Sequence, residues 1–163
     1  MTLDEMIPER NTIVLTRRKW SPEWTISVDI KPVGRSYPYF TNILQMTGYK
    51  NNGYSKRIPL VSFRPNSRAL HISSAVNGKG NHSFNTRPLP LKQWSNLKVS
   101  QRLLENRVYQ YSITLDGVVL HSIINNKVRT FKNAKLYISK PGKEPAHVRL
   151  KNIKVIDHGN DYE

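Results

Sequence analysis

Residues 108–122 read Val108-Tyr-Gln-Tyr-Ser-Ile-Thr-Leu-Asp-Gly-Val-Val-Leu-His-Ser122. Tyr109, Tyr111, Ile113 and Leu115 recur at every second position, the period of a strand with one buried face. Asp116-Gly117 then supplies the two positive-φ positions of a tight turn, and Val118 to Ser122 returns. This hairpin sets the pattern for the rest of the chain. Trp24, Ile26, Val28 and Ile30 alternate with polar residues and are closed by Pro32 and Gly34. Phe40 to Thr47, Ile58 to Arg64 and Ala69 to Val76 read as further strands, followed by Asn77-Gly78, a second tight turn. Asn81 to Phe84 reads as its returning strand, with Pro88 and Pro90 in an extended connector. Gln93 to Leu103, Ala134 to Ser139 and Ala146 to Ile156 complete the set. In the last, Val148 and Leu150 give way to Ile153 and Val155, a change of parity that a bulge near Asn152 would repair. About ten short strands with almost no helical periodicity predict two stacked antiparallel sheets.

The 163 residues fit one domain with a core of its own. The reading divides them into an acidic N-terminal tail (1–10), one sandwich domain (11–156) and an acidic C-terminal tail (157–163). With no cysteine, a disulfide framework and a thiolate metal site are excluded. No apolar run is long enough to span a bilayer as a helix. Met1 to Arg10 lacks the pattern of a signal peptide.

Charge is the strongest compositional signal. The chain carries a formal +15. All 26 Lys and Arg lie between Arg10 and Lys154. Only Glu23, Asp29, Glu105, Asp116 and Glu144 oppose them there, because the other acids sit in the tails. A field of this size attracts polyanions. The candidate contacts are Arg17, Arg18 and Lys19; Lys56 and Arg57; Lys98 and Arg102; Lys127, Arg129, Lys132 and Lys135; and Arg149 and Lys151. Arg suits bidentate sulfate, phosphate or carboxylate contacts, and Lys acts as a point charge. Trp24 and Trp94 read as core. Trp20, Tyr37, Tyr39, Tyr49 and Tyr54 read as loop or strand-end aromatics, either packed at an edge or able to stack on sugars or bases.

Catalytic patterns are missing. No two of the five histidines (His71, His82, His121, His147, His158) have a ligand spacing on one strand or helix. There is no Gly-x-Ser-x-Gly elbow and no phosphate loop before a helix. The group His82, Asn85 and Arg87 has neither the spacing nor the downstream Trp-Gly of a galectin site. The expectation is no catalytic residue, no metal and no cofactor.

Several segments in order resemble the laminin-G and concanavalin A-like jelly-roll superfamily. They are Trp24-Thr-Ile-Ser-Val-Asp-Ile-Lys-Pro32, Ile58-Pro-Leu-Val-Ser-Phe-Arg64 and Leu70-His-Ile72. After these come Leu89-Pro-Leu-Lys-Gln-Trp-Ser-Asn-Leu-Lys-Val99, Tyr111-Ser-Ile-Thr-Leu-Asp-Gly-Val118 and Val148-Arg-Leu-Lys-Asn-Ile-Lys-Val155. The resemblance covers residues 20–156. It implies an all-β antiparallel jelly-roll sandwich and an extracellular recognition module, some relatives binding heparin-like glycans. It departs from the family in lacking a disulfide and the acids of a calcium rim. It also lacks the Glu-x-Asp-x-Glu of glycosidases on this fold. The resulting expectation is a non-catalytic extracellular module for acidic polymers, a sulfated glycan or an acidic matrix protein. A matrix or biomineral scaffold touching protein, chitin or mineral is the alternative, and nucleic-acid binding the third.

Overall fold

The computed structural model describes residues 5–50, 53–140 and 142–159. They form eleven strands: β1 (Ile13–Trp20), β2 (Trp24–Pro32), β3 (Thr41–Thr47), β4 (Leu60–Phe63), β5 (Ala69–Val76), β6 (Lys79–Pro88), β7 (Ser95–Leu103), β8 (Tyr109–Leu115), β9 (Val118–Asn125), β10 (Phe131–Tyr137) and β11 (Val148–Asp157). One sheet has the order β1-β10-β3-β4-β5-β6 and the other β11-β2-β7-β8-β9. Neighbours within each sheet are antiparallel. The two sheets stack as a jelly-roll sandwich.

The local signals act as their chemistry dictates. Both hairpin turns take positive φ at both central residues, 53° and 82° at Asn77-Gly78 and 49° and 81° at Asp116-Gly117. This primed geometry matches strand twist. On β2 every second residue is buried, from Trp24 to Pro32. On β11 the register shifts between Lys151 and Lys154, with Asn152 at φ 53°. That bulge keeps Val148, Leu150, Ile153 and Val155 all facing the core.

Three expectations need correction. Ile13–Trp20 is a strand, and Trp20 is 0% exposed, its ring 5.9 Å from that of Trp24. Trp20 is therefore a core residue at a strand end, not a free loop aromatic. The return after Asn77-Gly78 runs from Lys79 through Pro88; β6 is an edge strand, where proline costs no ladder bond. Trp94 precedes β7 and is only partly buried; Lys31 Nζ and Lys151 Nζ lie 4.9 and 4.1 Å from its ring centroid. The polar loop read at 48–53 includes residues 51–52, which lie outside the described residues.

Segments near both described ends pair with the sandwich. Met6 exchanges backbone bonds with Leu150, and Glu9 with Ile138 and Ser139. Asp157 is buried and accepts the Ser21 N–H at 3.0 Å.

The six-stranded sheet has an unusual second face. Every residue of β3 and β4 is buried. Val61, Phe63, Leu70 and Ile72 face the core, so Leu60, Ser62 and His71 face outward. Beyond the ends of the ladders, irregular segments continue the pairing of β3. Met46 bonds to Pro59 and Ile58, and Asn42 to Glu144 and Ala146. These bonds bring the connections carrying Lys56, Arg57, Lys140 and Lys143 alongside the outer face.

Candidate anion-binding groove

The outer face of β3-β4-β5 is a groove. Asn42, Leu60, Ser62 and His71 line it from the strands, and Phe40, Arg57 and Lys143 from the connections. Register explains the floor: Asn42 is opposite Ser62 and Ser62 opposite His71. Alternation forces the three onto one side.

The floor is polar and fixed. His71 Nδ1–H donates to Asn85 Oδ1 at 2.7 Å, and Nε2 lies 3.1 Å from Ser73 Oγ, within hydrogen-bond distance. His71 is thus a hydrogen-bonded sheet residue. Asn42 is 2% exposed; its Oδ1 accepts from Ser139 Oγ at 2.8 Å and from Lys140 N–H at 3.0 Å. Asn42 Nδ2, Gln45 Oε1 and Arg57 Nε are buried without a hydrogen-bond partner. A buried polar atom left unpaired costs about 1–3 kcal/mol, so Asn42 Nδ2 is an unmet donor beneath the groove floor.

Arg57 and Lys143 line this groove, Lys56 and Lys140 lie near enough to feel their charges, and among the described residues no carboxylate lines it. Lys140 is 9% exposed. Burial, then the charges of Lys56, Lys143 and Arg57, lower its pKa to about 8. Burial, then Lys56 and Arg57, also lowers that of Lys143. Glu144, the nearest acid in sequence, is paired with Arg10. Such an arrangement of like charges is stabilised when an anion enters.

The thirteen predicted cations do not form one patch. Lys98, Arg102, Arg149 and Lys151 face outward from the five-stranded sheet, the opposite side of the sandwich. There Arg102 pairs with Glu23 at 3.0 Å and Arg149 with Glu5 at 3.1 Å. Asp29, opposite Lys151, accepts from Asn96 and Asn152. That face is thus partly neutralised. Arg17, Arg18 and Lys19 lie on β1 beside Lys132 and Lys135 of β10, with Lys19 opposite Lys132. Lys127 and Arg129 lie in the connection before β10. Of the thirteen, only Arg57 lines the groove, with Lys56 beside it in the chain. Lys140 and Lys143 were absent from the predicted set. Their signal was the sequence Lys140-Pro-Gly-Lys143, turn-forming residues between two cations; the Lys143 N–H meets the Lys140 carbonyl at 3.3 Å.

The other candidates also find their places. His82 and Asn85 project from opposite faces of β6, His82 toward Tyr111 and Asn85 to His71, so no galectin-like group forms. His82 Nε2 lies 2.8 Å from His121 Nε2. Tyr37 stacks on Tyr39 at 5.2 Å and bonds His147.

No known protein family and no curated protein matches this sequence. Solved structures with the same fold do. A Trypanosoma rangeli sialidase in complex with sialic acid has a TM-score of 0.60 at 14% identity over 83% of this chain and 20% of that one. A heptameric SAP-like pentraxin from Limulus polyphemus gives 0.61 at 13%, over 94% and 75%. A family 7 alginate lyase, A1-II′, bound to substrate gives 0.56 at 12%, over 89% and 66%. The chain spans about a fifth of the sialidase. At these identities the likeness is one of fold.

Proposed function

We propose that this chain is a non-catalytic carbohydrate-binding module that takes acidic polysaccharide into the groove between Arg57 and Lys143. The observation that carries the reading is the crowding of Lys56, Arg57, Lys140 and Lys143 beside a polar floor whose Asn42 Nδ2 lacks a partner, with no lining carboxylate among the described residues. Arg57 supplies a fork for a carboxylate or sulfate, the lysines supply charge, and exposed Phe40 offers a ring edge for a sugar. Two of the fold neighbours, by name, act on alginate or hold sialic acid, both acidic carbohydrates. A lining without carboxylates supports binding over hydrolysis, since glycoside hydrolysis ordinarily uses two carboxyl groups. On this reading the chain works outside the cell, as laminin-G-like modules do.

The test is binding to heparin, chondroitin sulfate, alginate and dextran at two salt concentrations. The acidic polymers bind, salt weakens them and dextran does not bind. Arg57→Glu and Lys143→Glu each weaken binding about tenfold or more, whereas Lys98→Glu on the opposite face has a smaller effect. Release from heparin below physiological salt, or equal effects of all three substitutions, refutes the groove as the site.

A further inference from the structure

The cations of the groove continue past Arg57. Arg57 also borders a shallow depression with Lys56, Gly53, Gly80 and Asn81. Next in the chain, Tyr54 borders two more hollows. Lys127 and Arg129 line one of them; Tyr49, Lys50, Arg129, Phe131 and Lys132 line the other. Among the described residues, no carboxylate lines any of the three. The two ends of this path are the two ends of β3. Asn42 lines the groove, while Gly48, just past the strand, lies against Phe131, where an added Cβ would come within 3.2 Å of the Phe131 Cβ. At about 3.4 Å per residue, the stretch from Asn42 to Gly48 spans roughly 20 Å.

The far cleft is built, not loose. Tyr54 O–H donates to the Lys127 carbonyl at 2.7 Å and accepts the Gly78 N–H at 3.3 Å. The Arg129 guanidinium lies over the Tyr54 ring at 5.8 Å. Tyr49 is held by its backbone N–H on the Lys132 carbonyl at 2.7 Å, yet the residue is 61% exposed. An exposed aromatic ring on a fixed backbone beside cations suits a sugar ring carrying an anionic group. Lys19 and Lys132 stand directly opposite each other across β1 and β10. Such a like-charge pair destabilises a sheet, and an anion bound beside it relieves the repulsion.

We infer that this cleft is a second subsite on the same path, and that the ligand is an extended acidic polysaccharide reaching from Lys143 to Lys132 with Tyr49 as its ring platform. The inference rests on the groove reading above. Two linked subsites bind a long chain far more tightly than either binds a short one, by about 10²-fold or more.

The experiment compares a heparin-derived disaccharide with a dodecasaccharide by calorimetry, on the full chain. The dodecasaccharide binds about a hundredfold more tightly. Tyr49→Ala, which changes no charge, and Arg129→Glu each remove most of that advantage and leave disaccharide binding in place. Lys154→Glu makes the same charge change as Arg129→Glu on the opposite sheet and preserves the advantage. The inference is overturned if both cleft variants keep the advantage, or if Lys154→Glu removes it equally. Tighter binding of single-stranded DNA of matched charge overturns it too. If the wild type binds neither fragment, the groove reading itself falls and takes this one with it.

Discussion

Replacing Lys140 by Met should stabilise the protein at neutral pH and, on the proposed reading, weaken its hold on acidic chains. Lys140 is 9% exposed, and its pKa falls from the ordinary 10.5 to about 8, through burial first and then the charges of Lys56, Lys143 and Arg57. The charged form is thus disfavoured in the folded state. At about 1.4 kcal/mol per tenfold in proton affinity, the fall sets an upper bound of roughly 3 kcal/mol. Water at the groove mouth screens part of it, so the cost we assign is about 1–2 kcal/mol. The sign is fixed by linkage. Below pH 8 both folded and unfolded chains carry the charge, and the full penalty is present. Between about 8 and 10.5 the folded lysine sheds its proton first, and stability rises relative to a chain without it. Met keeps the apolar stem and removes the charge. Lys140→Met should therefore raise the melting temperature at pH 7 by about 4 °C. The gap to wild type should shrink as pH approaches 10. Thermal or urea melts at several pH values measure this directly. No gain at pH 7, or a gain unchanged at pH 10, refutes electrostatic crowding as the cause. This is the trade between stability and function expected where a binding site concentrates like charges.

Four further outcomes follow from named contacts. Asn125 is buried; its Nδ2 donates to Gln101 Oε1 at 2.9 Å and its Oδ1 accepts the Asn77 N–H at 2.9 Å, so it joins the two sheets. Asn125→Leu should cost about 3 kcal/mol in urea unfolding, because several buried groups lose their partner together. Burial lowers the pKa of both His82 and His121, and the charges of His121 and Lys79 lower that of His82 further. Their neutral forms are favoured on folding, so stability is full above about 6.5 and declines as pH falls from there. His121→Phe should flatten that decline in pH-dependent melts. Trp20→Ala should destabilise by about 4 kcal/mol, the usual cost of emptying a large aromatic site. Reversing both Lys98 and Lys151 should leave most dodecasaccharide affinity intact in the calorimetric assay.

How much could be read from the chain depended on how local the signal was. Asp116-Gly117, Asn77-Gly78 and the parity change at Asn152 each fix backbone through residues adjacent in sequence, and each is found as read. β1 escaped because Thr16-Arg-Arg-Lys19 interrupts its alternation; an edge strand with a partly solvated face needs no strict pattern. Trp94 read as core because it abuts the apolar alternation of β7, but it lies before that strand and faces lysines instead. The fold class and the surplus of positive charge were thus set by the sequence itself, since periodicity and composition involve only neighbours and sums. Where the charge acts was decided by strand order. Lys56 and Lys140 lie 84 positions apart in the chain and meet only because β3 runs between β10 and β4. Coulomb energy depends on distance through space, and no local pattern carries that distance.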